Sequence, residues 1–182
     1  GNVIGGGDRA EDRLVPDLVR AALAGRPAPI RRPDATRPWQ HVLEPLSGYL
    51  VLGARLLADP CDVAEAWNFG PGEAGTLSVG AFAARFASHW DAVRVSPDPG
   101  PHPHEAGLLH LDCRKAAGRI GWSPVWSVDT AIARTSAWYR RWHAGGGAAT
   151  REDLARYIAD ARRAGLGWAV AAATEPAAAI DA

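Results

Sequence analysis

Arg31, Arg32 and Arg37 lie within one seven-residue stretch that Pro33 and Pro38 stiffen, followed at once by Trp39 and His41. A guanidinium is a planar fork that makes bidentate contacts with phosphate oxygens, and an indole can stack on a sugar or a base. The stretch can therefore grip a diphosphate ligand. It can equally be a solvated loop, because 19 of the 20 basic residues are arginine and Lys115 is the single lysine. Composition alone leaves both readings open.

Three other constellations invite chemistry. Gly5-Gly6-Gly7-Asp8-Arg9-Ala10 follows a short apolar run and satisfies the spacing G-x-G-x-x-G/A of a dinucleotide loop, with Asp34 roughly where a ribose-binding acid belongs. Such a loop aims backbone N–H groups at a pyrophosphate, yet Asp8, Glu11 and Asp12 crowd this one and repel phosphate. A tight turn after a strand is the better account. His102, His104, Glu105, His110, Asp112 and Cys113 can be drawn as a metal set, but their spacing fits no familiar zinc pattern and prolines interrupt it. A ligand-bonding or solvent-facing histidine suits them better, and no metal is expected. No serine stands in a G-x-S-x-G elbow. Cys113, at a helix start, reads as a structural thiol rather than a nucleophile.

The elements that must position these residues follow from periodicity. Asn2-Val3-Ile4 is a buried strand, and Leu14, Val15, Leu18, Val19, Ala22 and Leu23 mark one face of a helix that Gly25 closes. Pro16 is tolerated in that helix's first turn. Extended pieces are expected at 28–31, 39–43, 66–69 and 93–95. Residues 44–57 read as a helix with Leu46, Tyr49, Leu50, Leu56 and Leu57 inward. Ser78 caps a helix whose Phe82, Phe86 and Trp90 share a face, and Val128 to Trp142 mark a longer one. Asp112 is placed to cap a short helix ending at Gly121. Gly145–Gly147 forms a linker, and Thr150 with Asp153 forms a capping box for a last helix. Strands alternating with helices make an α/β chain.

Composition bounds the function. The 182 residues carry 20 basic and 20 acidic side chains, so the basic excess of a nucleic-acid or membrane-surface binder is absent. Cys61 and Cys113 are too few for a disulfide framework, which suits a reduced cytoplasmic setting. No signal peptide or bilayer-length apolar run is visible. The chain contains no methionine, even at position 1, and reads as a fragment that begins within a fold.

Read together, the segments GNVIGGGD (1–8), RLVPDLVRA (13–21), RPWQHVLEPLSGYL (37–50), AWNFGP (66–71), PHEA (103–106), LDCRKA (111–116) and GWSPVWSVDTAIARTSAWY (121–139) carry a resemblance. In order and spacing over roughly 1–158, they resemble the C-terminal half of the extended short-chain dehydrogenases/reductases that act on nucleotide sugars. Within that family the likeness is to the CDP-glucose 4,6-dehydratases. The chain departs from the pattern at Arg9, where the family pattern has tryptophan, and at Arg114, where serine is more usual.

The resemblance implies an architecture and a ligand. Residues 1–145 would hold the last parallel strands of a Rossmann sheet with a small, mostly helical nucleotide-sugar lobe, and 146–165 a C-terminal helix; 166–182 have no counterpart in the resemblance, and their alanine-rich composition reads as a disordered tail. Asn2 would approach the sugar diphosphate, Arg13 the phosphates, and Pro29 with Arg31 the nucleoside base. Arg37 would bind the diphosphate, Asn68 the nucleotide, and His104 the phosphates or ribose. NAD, the Tyr/Lys pair and the acid/base residues would belong to an upstream half, so this piece would be inactive alone. The whole enzyme would oxidise CDP-glucose at C4, eliminate water across C5–C6 and return the hydride to C6. It would serve deoxysugar and polysaccharide synthesis, and it could be a homo-oligomer. Another nucleotide-sugar epimerase or dehydratase, or a non-catalytic nucleotide-sugar-binding fragment, are the alternatives.

Overall fold

A computed structural model describes residues 2–72, 75–101 and 106–171. β1 (Asn2–Ile4) lies parallel to β3 (Thr36–His41), with Asn2 opposite Trp39 and Ile4 opposite His41. The first half of β3 pairs instead with β4 (Thr76–Ser78), antiparallel, so β3 exchanges neighbours midway. Pro38 sits at the changeover, next to the point where the β1 ladder begins, and its missing N–H therefore interrupts neither run. β3 starts three residues earlier than the sequence suggests, because Thr36 and Arg37 pair with Ser78 and Leu77. A second, two-stranded parallel sheet joins β2 (Ala28–Ile30) to β5 (Val95–Pro97).

The helices enclose these strands. α1 (Leu14–Leu23) ends where Gly25 takes φ +64°, and α4 (Val79–Ser88) starts under the Ser78 hydroxyl, which accepts from the Ala81 N–H. With α6 (Val128–His143) they build the main core, in which Trp39 stacks on Phe82 at 4.1 Å and Leu18, Phe86 and Ile132 are fully buried. Gly6 closes this core at the β1 exit: a Cβ there would lie 2.0 Å from the Trp138 ring. A smaller core gathers Phe69, Ile120 and Trp122 between α2 (Leu43–Ala58), the short α3 (Pro60–Val63) and α5 (Arg114–Ile120). No helix among the described residues is long and apolar enough to cross a membrane.

Several sequence expectations are overturned. Residues 66–69 form no strand; the Gln40 amide instead donates to the Phe69 carbonyl at 2.9 Å. Thr150 and Asp153 form no capping box in α7 (Thr150–Arg163), because Thr150 Oγ1 accepts from the Trp138 indole N–H at 3.0 Å and Asp153 faces Arg134. The expected tail is helical over α8 (Gly167–Ala171), where Trp168 stacks on Tyr157. Residues 172–182 lie outside the described ones.

The largest reversal is α2. Leu46, Tyr49, Leu50 and Leu57 face outward, with Leu50 76% and Leu57 90% exposed, while Glu44, Ser47 and Gly48 face inward. The reason is polar. The Glu44 carboxylate, 1% exposed, accepts from the Val125 N–H (3.0 Å), the Trp126 N–H (2.8 Å) and the Tyr157 hydroxyl (2.7 Å). Ser47 Oγ accepts from the Trp122 indole N–H at 2.9 Å. Gly48 lets the helix close on the Phe69 ring, where a Cβ would lie 2.3 Å away.

His41, at the end of β3, packs edge-on against Trp126 and is 4% exposed. Burial, assisted by the Arg134 charge, lowers its pKa from 6.5 to about 4. The unfolded chain therefore takes up a proton between those values that the folded chain refuses, and stability falls as pH drops through this window. Denaturant titrations from pH 7 to 4.5 should show a loss of about 2 kcal/mol that His41→Asn removes. Separately, Gly6→Ala should cost about 1–3 kcal/mol by overpacking Trp138, read as a lower Tm.

Candidate functional site

Two small cavities meet at the open end of β1, of about 180 and 160 Å³, and share Asn2, Asp12, Leu14 and Trp39 in their walls. The first adds Asp8 and Arg13; the second adds Pro29, Arg31, Arg32 and Arg37. Each alone is smaller than the roughly 300–1,000 Å³ of a ligand pocket, and side by side they form one cleft.

Parallel pairing of β1 with β3 places Asn2 beside Trp39, and Arg37 sits two residues before Trp39 on the same strand. Arg37 Nη1 donates to the Thr36 carbonyl (3.0 Å) and the Ala106 carbonyl (2.7 Å), which fixes its guanidinium at the strand's start. Pro29 is the exposed middle residue of β2, and Arg31 directly follows that strand. Arg13 immediately precedes α1 and occupies its N-cap position. The arginine-rich end of the cleft suits phosphate oxygens, and the end bearing Asn2 and Asp8 suits hydroxyl groups.

Five residues singled out from the sequence, Asn2, Arg13, Pro29, Arg31 and Arg37, thus line one continuous cleft. Asn68 lines neither cavity; its amide donates to the Asp112 carbonyl at 3.3 Å on the α5 side. His104 lies outside the described residues. Arg32 and Trp39, which belong to the arginine-rich stretch read from the sequence, line it too, and Asp12 joins although the sequence offered it only as an acid crowding the glycine turn. For Asp12 no local spacing announces the arrival.

Larger cavities lie elsewhere. One of about 550 Å³ is bounded by Gly70–Gly72, Leu111–Arg114 and Trp122–Pro124. Its charged residues face each other, Arg114 binding Asp112 through Nε at 3.0 Å, and that pairing holds the Asp112 carboxyl down at about 2. The Cys113 thiol in its wall is pushed up by burial, the opposite of an activated nucleophile. The cleft, by contrast, brings four guanidinium groups, of Arg13, Arg31, Arg32 and Arg37, together with the Asn2 amide.

The glycine turn offers no dinucleotide cradle. Gly6 is closed against Trp138, and the Tyr139 hydroxyl, its pKa pushed up to about 12 mainly by burial, donates to the Asp8 carbonyl at 2.7 Å. The described residues of this chain therefore do not fit NAD at that loop. No cluster of three or more His, Cys, Asp or Glu able to hold a metal occurs among the described residues.

This fold is that of the C-terminal part of an extended short-chain dehydrogenase/reductase of the nucleotide-sugar epimerase and dehydratase type. An epimerase of Methanothermobacter thermautotrophicus matches with TM-score 0.67 and 24% identity, over 79% of this chain and 42% of that one. A dTDP-glucose 4,6-dehydratase of Bacillus anthracis, solved with NAD, matches with TM-score 0.60 and 16% identity, over 77% and 42%. In sequence the chain is similar to CDP-glucose 4,6-dehydratase of Salmonella typhimurium, 43% identical over 143 residues, 78% of this chain. That bears out the resemblance carried by the motifs. The chain spans 40% of the length of that relative. No family model matches it.

Proposed function

We propose that this chain is the substrate-binding portion of a CDP-glucose 4,6-dehydratase, an NAD-dependent lyase that converts CDP-glucose to CDP-4-keto-6-deoxyglucose with net loss of water. The observation that carries the reading is the convergence of Asn2, Arg13, Pro29, Arg31 and Arg37 on one cleft, in a chain 43% identical to such an enzyme. Arg37 and Arg31 bind the diphosphate and the adjoining nucleotide, Arg13 neutralises phosphate charge, and Asn2 bonds the sugar end. Each charge-assisted contact is worth roughly 1.5–3 kcal/mol. This portion holds and orients the sugar nucleotide; the dinucleotide and the acid/base groups belong to the part of the relative that the chain does not span.

Two features support a covering partner of that kind within the same protein. β1 is an edge strand with Val3 39% exposed, and α2 presents Leu46, Tyr49, Leu50 and Leu57 outward. An open strand edge and an apolar helix face are what a continuing parallel sheet and its flanking layer would bury. In the full-length protein, Leu50→Asp with Leu57→Asp should therefore lower the Tm by several degrees, whereas the same pair should improve solubility of residues 1–182 expressed alone.

The decisive assay incubates the full-length protein with NAD+ and, separately, CDP-glucose and dTDP-glucose, and follows mass. Loss of one water from CDP-glucose alone is the expected result. An unchanged mass with inverted C4 stereochemistry would instead favour an epimerase, the class of the structural neighbour at TM-score 0.67. Arg37→Ala should weaken CDP-glucose binding about 10- to 100-fold, as loss of a charge-assisted contact requires. Arg162→Ala, on α7 with its Nε on the Ala169 carbonyl, should leave it unchanged. Equal effects would refute the assignment of the cleft.

A further inference from the structure

Asp12 stands where the two halves of the cleft meet, contributing to the walls of both cavities. It is the one non-glycine residue with positive φ among the described residues, at +57°. Its carboxylate Oδ1 lies 3.4 Å from Arg31 Nη2. The loop that carries it is fastened at several points: Arg20 donates to the carbonyls of Arg9 (3.0 Å) and Ala10 (3.2 Å), and Tyr139 donates to that of Asp8. Asp12 is therefore held in a sparsely populated conformation at the cleft, and such outliers concentrate where a ligand is handled. The ion pair is exposed on the aspartate side, 84% against 38% for Arg31, which makes it weak and readily exchanged.

We infer that Asp12 is a resident counter-anion for Arg31: it pairs with the guanidinium when the cleft is empty and yields it to a phosphate of the incoming nucleoside diphosphate. The inference rests on the proposed function and names a positioning residue that acts through Arg31. Arg31, Arg32 and Arg37 crowd like charges at one end of the cleft, and a carboxylate beside Arg31 offsets part of that repulsion. Once a diphosphate arrives, its doubly charged oxygens make bidentate contacts that a single carboxylate at 3.4 Å does not match. The displaced carboxylate then lies close to the ligand's negative charge and weakens binding. Asp12 thereby keeps occupancy reversible and takes Arg31 back when the nucleotide leaves. Orientation of Arg31 by so exposed a partner is worth less than this repulsion, so removing the carboxylate tightens binding.

The test is calorimetric titration of the full-length protein with CDP, at 50 mM and 500 mM NaCl, with Tm recorded for each variant. Asp12→Asn should tighten CDP binding 3- to 10-fold at low salt, and the gain should shrink at high salt. Asp12→Gly, which suits the positive φ and also lacks the carboxylate, should give the same gain. In the Arg31→Ala background, Asp12→Asn should give no gain. A merely structural role would move the Tm and persist without Arg31. Unchanged or weaker CDP binding by Asp12→Asn, or an equal gain without Arg31, would overturn the inference and leave the proposed function intact. Failure of the wild-type protein to bind CDP would overturn both.

Discussion

The buried Glu44 carboxylate is the interaction on which the arrangement of this chain depends. A charge removed from water is costly, and removing one partner of such a group typically costs about 3–5 kcal/mol. Here burial pushes the Glu44 carboxyl up, while the N–H groups of Trp126 and Val125 and the Tyr157 hydroxyl pull it back down. Tyr157 is itself pushed up, first by burial and then by the Glu44 charge, so its proton stays in the bond. Ser47 extends the network through the Trp122 indole and the Tyr157 hydroxyl. One carboxylate thus ties the β3–α2 junction to the 122–126 segment and to α7.

That tie sets the direction of everything around it. With Glu44, Ser47 and Gly48 inward, α2 must turn its leucines out, and Phe69 and Trp122 fill the space beneath. The end of β3 is anchored, with His41 kept neutral against Trp126, and the start of the same strand carries Arg37. Register then does the rest: Asn2 faces Trp39 because β1 pairs in parallel with the anchored half of β3. The cleft is a consequence of a strand that is fixed at one end and exchanges partners in the middle.

Much of the fold was legible from local chemistry. The stripe at Leu14, Val15, Leu18 and Val19 made α1, the Ser78 hydroxyl capped α4, and Gly25 closed its helix at positive φ, each through interactions within a few residues. The glycine turn was legible too, as a tight turn and not a phosphate loop, because three acids crowd it. What failed shares one cause. Thr150 and Asp153 have the spacing of a capping box, but Trp138 and Arg134, distant in sequence, claimed their polar atoms. Residues 66–69 have strand composition, but the partner that met them was a glutamine side chain, not a strand edge.

The sequence by itself determined the α/β class, the main helices, the resemblance to the C-terminal part of a nucleotide-sugar enzyme and five of the residues that line the cleft. These rest on periodicity, turn chemistry and motif spacing, which are local. Only the tertiary structure decided which face of α2 is buried, that Asn68 bonds Asp112 away from the cleft, and that Asp12 pairs with Arg31. Hydropathy places leucine inward by default, but an inward face goes to whichever side chains have their hydrogen-bond partners there. Those partners lie 81 to 113 residues from Glu44 along the chain, and no window of sequence contains them.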